Sequence, residues 1–142
     1  MILQAIEERR LAEGGKGEPV ISFDYPNMQV EHILPQTWDE NHWPLPKGMD
    51  RVTRDQRVHW IGNLTLVSKK LNPALSNVRW LDWEEGGEAH KGKRQQLVDH
   101  TVLKSNLTLA KDYENGWDDN TIVARGGTLF AEALKIWPSS FD

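Results

Sequence analysis

The sequence predicts an α+β domain in which a strand, a long loop, a second strand and a short helix are flanked by further helices. Three observations predict it. β-Branched, alternating runs stand at "MQVEHIL" (28–34) and within "VHWIGNLTLVS" (58–68). Asn72 followed by Pro73 has the form of a helix start. From Ile122 to Trp137 apolar residues recur at helical spacing. A length of 142 residues suits one domain, and 38% hydrophobic with 27% charged residues is ordinary for a soluble globular chain. Seven Trp in so short a chain imply a true core, with Trp60, Trp80, Trp117 and Trp137 its expected large members.

Residues 2–12, "ILQAIEERRLA", read as an amphipathic helix with Ile2, Ile6 and Leu3 inward, stopped by "EGGKGEP". "VISF" (20–23) and "MQVEHIL" read as strands, and 36–58 as a long polar loop of the functional or mobile kind. "VHWIGNLTLVS" is the second extended stretch, turning near Gly62. A helix capped by Asn72 follows, then a charged loop "EEGGEAHKG", then a helix "KRQQLVDHTVLK" with Leu97, Val98, Val102 and Leu103 inward. The last helix begins at Asp118 or Asp119, turns Ile122, Leu129, Phe130, Ala133, Leu134 and Trp137 inward, and ends at Pro138.

The chain has no Cys, which excludes disulfides, a thiolate nucleophile and Cys-ligated zinc, and fits a reducing compartment. No apolar run approaches membrane-spanning length and the first residues lack a signal-peptide pattern, so the expected location is cytoplasmic. Net charge is −4, but residues 47–94 carry 10 of the 17 Lys and Arg against 6 of the 21 Asp and Glu. This basic centre suits local contact with a phosphate backbone, weakened by salt.

The chemistry-bearing residues gather in the strand–loop–strand–helix stretch. Glu31 and His32 stand together just before Pro35, Asn63 lies in the second extended stretch, and Asn72 opens the next helix. A carboxylate and an amide oxygen are hard ligands suited to Mg²⁺ or Mn²⁺. A neutral imidazole can take the proton of an attacking water. In a regular strand neighbouring side chains face opposite ways, so Glu31 and His32 share a site only where the strand ends or bends. Each residue also has a plainer reading: Asn72 as a helix cap, Asn63 as a servant of the turn at Gly62, His59 as a surface histidine. A second Asp-His…Asn…Asn set, Asp99, His100, Asn106 and Asn115, has Asn106 only six positions after His100, too few for a hairpin strand, and Asp99 and His100 read as exposed helix residues.

"VEHILPQ" followed by "IGNLTLVSKKLN" resembles the HNH, or His-Me finger, nucleases, in which the final ligand commonly lies nine positions after the central Asn, the interval from Asn63 to Asn72. More closely, "EHILP", "GNLTL", "NPALSN", "KRQQLVDH" and "IVARGGTLFAEALKIW" resemble the C-terminal nuclease domain (DUF1524) of GmrSD-type modification-dependent restriction proteins, over roughly residues 20–138. The resemblance implies a ββα-metal core with surrounding helices and a Mg²⁺- or Mn²⁺-dependent DNA endonuclease. His32 would be the general base, Glu31 and Asn72 the metal ligands, and Asn63 the orienting residue. Asn77 and Lys93 match polar positions of the pattern, as a further site contact and a phosphate contact; His59 is counted as an additional site residue for its closeness to the motif in the chain. Glu31 stands where the wider nuclease pattern has Asp, one methylene shorter. Residues 1–19 are then expected to be a helix and linker at the edge of a preceding domain, and 20–142 the nuclease domain. By resemblance the preceding part of the parent chain is a nucleotide-hydrolysing sensor of modified phage DNA. The competing expectation is a module that keeps the fold and binds nucleic acid without cutting it; RNA is the alternative substrate.

Overall fold

A computed structural model describes residues 2–13 and 25–138, and the expected α+β class holds. The strand expected at 20–23 lies outside the described residues. Strand β1 (Met28–His32) pairs antiparallel with β2 (Leu64–Ser68), Met28 opposite Ser68 and His32 opposite Leu64. A single helical turn, α3 (Asn72–Leu75), follows β2. The cap expected there is not made: Leu71 occupies the cap position without a side-chain bond, and Asn72 is already helical.

Helix α1 (Ile2–Glu13) buries Leu3, Ile6 and Glu7, whereas Ile2 stays 42% exposed. Glu7 accepts the backbone N–H groups of Lys104 (2.7 Å) and Ser105 (2.8 Å), capping from outside a helix that was not expected, α5 (Lys104–Asp112). The loop expected at 36–58 contains α2 (Arg51–Arg57), started by Asp50 accepting the Thr53 N–H at 2.7 Å. Arg54 is fully buried. Its Nε and Nη2 donate to Asp119 Oδ1 at 2.9 and 2.6 Å, and its other donors take the carbonyls of Trp43 and Pro44. This one side chain folds the long loop onto the domain.

The expected loop "EEGGEAHKG" contains a hairpin, β3 (Trp83–Glu85) and β4 (Glu88–His90), turned by Gly86 and Gly87 at φ +60° and +80°. Helix α4 (Lys93–His100) buries Leu97, but Val98 points outward, and Val102 beyond the helix is exposed. Asp99 and His100 lie on its exposed end, Asp99 paired with Lys91 at 2.7 Å. Asn106 is buried, accepting from Thr65 and donating to Leu66 O (2.8 Å), so this member of the second set serves the fold.

Helix α6 (Asp119–Ile136) starts at Asp118, whose carboxylate accepts from Asn120 and Thr121 while Thr121 Oγ1 takes the Asp118 N–H. Its buried face is Asp119, Ile122, Arg125 and Leu129. Phe130 (64% exposed), Leu134 and Trp137 face solvent, contrary to the expected inward set. Two charged residues hold the buried stripe, which a count of apolar spacing does not see. The core Trp are Trp43, Trp80 and Trp117; Trp60 is 48% exposed and Trp137 lies outside.

Helix α6 crosses the 3-10 turn Ile61–Asn63 at backbone contact. A Cβ on Gly62 would lie 1.9 Å from the Ile122 carbonyl oxygen and 2.8 Å from the Gly126 nitrogen. Arg125 Nη1 donates to the carbonyls of Gly62 (2.9 Å) and Leu64 (2.7 Å). Burial pulls its guanidinium down to about 10, so it remains a cation at neutral pH. The glycine of "GNLTL" is thus required by close packing.

Candidate active site

The ladder between β1 and β2 gives way at His32 to a clamp made by one residue. Ile33 N donates to the Asn63 carbonyl at 2.9 Å. Leu34 then sends its N–H to Asn63 Oδ1 (2.8 Å) and receives Asn63 Nδ2 on its carbonyl (2.9 Å). Nδ2 also donates to Val58 O (2.8 Å), and Oδ1 accepts the Trp117 indole N–H (3.1 Å). Two pure donors meet one end of the amide and two pure acceptors the other, which fixes its orientation. Asn63 is completely buried. With Pro35 next, the chain leaves the strand in a fixed path and presents His32 at its end.

Glu31 and His32, the last two residues of β1, have different side-chain neighbours. Glu31 is 8% exposed, and its Oε1 accepts from Lys93 Nζ at 3.0 Å. The same ammonium donates to the His32 carbonyl at 2.9 Å and lies 6.0 Å from the Trp43 ring centroid. Burial pulls the Lys93 ammonium down, and the Glu31 carboxylate opposes that pull. Expected as a phosphate contact, Lys93 is 1% exposed and directed inward: it is the internal counter-ion of Glu31. A basic run at a helix start reads as solvated, so the sequence hides this. Among the described residues nothing hydrogen-bonds Glu31 Oε2.

His32 is half-buried at the strand end. The ring of His59 meets it edge-on, 5.6 Å between centroids, so the structure brings these two expected site residues together. Gln36 Nε2 lies 3.3 Å from Nδ1 and 3.4 Å from Nε2, a shared contact that selects neither tautomer. Burial first, then the His59 and Lys93 charges, hold the His32 imidazole below its ordinary 6.5, so it is neutral and able to accept a proton at neutral pH.

Asn72 Nδ2 donates to Gln29 Oε1. Gln29 and Glu31 are two apart on β1 and share a face, so Asn72 stands on the Glu31 side of the sheet. Gln29 was not among the expected site residues; its i−2 relation to Glu31 is the signal that marks it. Asn77 Oδ1 accepts from Thr37 Oγ1 at 3.1 Å, and Thr37 follows Gln36 in the chain. Among the described residues no group of three or more His, Cys, Asp or Glu is placed to hold a metal. The free Oε2 of Glu31 and the amide oxygens of Asn72 and Gln29 are hard donors. Oxygen donors of this kind would suit a largely hydrated Mg²⁺ or Mn²⁺.

The family model for the C-terminal domain of GmrSD restriction endonucleases matches residues 1–132. The chain belongs to this family. Neither a curated protein nor a solved structure matches it. A GmrSD C-terminal domain is a nuclease-type domain, and the match takes in α1 as well as the β1–β2–α3 unit. No helix among the described residues of this GmrSD C-terminal domain is long and apolar enough to cross a membrane.

Proposed function

We propose that this GmrSD C-terminal domain is a divalent-metal-dependent DNA endonuclease of the His-Me finger kind, hydrolysing phosphodiester bonds with water. The observation that carries the reading is His32: an imidazole kept neutral, at an open strand end, one residue from a carboxylate with an uncommitted oxygen. His32 Nδ1 or Nε2 takes the proton of the attacking water as it adds to phosphorus. Asn63 is a positioning residue that holds the segment after His32. Glu31 and Asn72 hold Mg²⁺ or Mn²⁺, with Gln29 orienting Asn72. When bound, the metal supplies positive charge for the phosphate and the leaving oxygen.

One such site handles one strand, so a monomer nicks and two copies make a double-strand cut. In the parent chain the domain is the effector of an N-terminal, nucleotide-hydrolysing sensor of modified DNA, acting in defence against phage. The family supports a restriction role, and the basic centre supports DNA as the substrate.

The deciding experiment is incubation with supercoiled plasmid in Mg²⁺ or Mn²⁺, with EDTA and His32→Ala controls. Metal-dependent conversion to open circle, lost in the variant, is expected. Cleavage that survives His32→Ala sinks the mechanism. The second reading, a binding module without chemistry, draws on Lys93, whose ammonium already neutralises the one carboxylate of the site. It predicts plasmid binding without conversion in either metal.

A further inference from the structure

Among the described residues three Trp rings carry Arg contacts, and they are not alike. Trp38 lies under both Arg51 and Arg54, with its indole N–H on Asp55 at 2.9 Å. Trp83 lies between Arg79 and the stacked ring of His90. Trp60 has a single partner, the Arg57 guanidinium 5.5 Å from its ring centroid, and is 48% exposed. Arg57 enters no ion pair among the described residues, and its buried Nε has no hydrogen-bond partner. Arg51, one helix face away, is instead paired with Glu40 at 2.6 Å.

The location gives this pair its meaning. Trp60 follows His59 directly, and His59 rests against His32. Trp60 is thus the next residue in the chain after a side chain that meets the His32 imidazole edge-on. Leaving a large apolar ring half in water costs hydrophobic free energy that a buried rotamer would recover. A bound base would cover that surface, because every base offers a π-face to an aromatic side chain, and an adjacent cation suits the phosphate beside it.

We propose that Trp60 and Arg57 form a nucleotide-binding contact for the strand being cut. The open face of the indole stacks on a base or deoxyribose next to the scissile phosphate, and Arg57 meets the flanking phosphate. The proposal rests on the nuclease reading of His32, and it names the part of the surface that receives DNA.

The test is binding of a fluorescein-labelled DNA duplex and of its single strand to the whole chain in EDTA across a salt series, with plasmid nicking measured in parallel. Trp60→Ala is expected to weaken binding about tenfold, and Trp60→Phe to restore most of it. Arg57→Ala is expected to lower the salt dependence by about one phosphate contact. Both side chains reach the surface, and thermal melts of each variant establish that it is folded. Wild-type affinity in Trp60→Ala overturns the proposal, as does a wild-type chain with no DNA affinity. Nicking lost in His32→Ala but unchanged in Trp60→Ala leaves the nuclease reading standing and removes this contact. Nicking retained in His32→Ala with binding weakened in Trp60→Ala does the reverse.

Discussion

Lys93 Nζ lies 3.0 Å from Glu31 Oε1 and 2.9 Å from the His32 carbonyl, so one buried cation on α4 secures both neighbours at the end of β1. Removing one member of a buried pair strands the other's charge. Lys93→Met is expected to destabilise the fold by about 3–5 kcal/mol in denaturant unfolding. The double variant Lys93→Met/Glu31→Gln should lose much less, since no lone charge remains. Equal losses in the two would show that the pair is not the cause.

Asn63→Ala removes the amide that holds Leu34, Val58 and Trp117 together. Several buried polar groups are left without partners, each costing about 1–3 kcal/mol. The expected outcome is a large fall in Tm and loss of nicking at temperatures where the variant is still folded. A folded variant with normal nicking would remove Asn63 from the site.

Gly62→Ala places a Cβ against the Ile122 carbonyl and the Gly126 amide, both backbone, so nothing nearby can swing aside. A loss of about 3 kcal/mol or more is expected. Gly127→Ala, where a Cβ meets nothing, is expected to be neutral or slightly stabilising through helix propensity. Melting curves of the two variants check the contrast.

The acid limb of nicking should reflect His32. Burial, His59 and Lys93 all disfavour its imidazolium form, so the proton-accepting form persists below the ordinary 6.5. Activity is therefore expected to hold as pH falls through 6.5 and to decline below it. His59→Ala removes one of these causes and should move the limb towards higher pH. A limb above 6.5, or one indifferent to His59→Ala, contradicts the assignment.

Much of the site was legible because its residues carry signals that survive without neighbours. Alternation and Pro35 mark the end of β1, and Asn63 follows Gly62, a visible break in the second extended run. What was not legible depends on partners far along the chain. Lys93 is buried only because Glu31, 62 residues earlier, comes to it. Helix α5 has a short apolar face and gains its start from Glu7 of α1. The hairpin around Gly86-Gly87 was obscured by its acidic flanks, although paired glycines are a turn signal. Trp43 lies in the core and Trp60 does not, because composition says how many aromatics a core takes and not which ones.

The passage of α6 across Gly62, with no side chain between the two backbones, bears on how this domain can be cut or borrowed. A fragment of residues 25–80 would keep every residue assigned to the chemistry. It would lose Arg125 from the carbonyls of Gly62 and Leu64, Trp117 from Asn63, and Asp119 from Arg54. The hairpin is a keystone whose arch lies some sixty residues downstream. Grafting it into another scaffold requires the arch to travel with it.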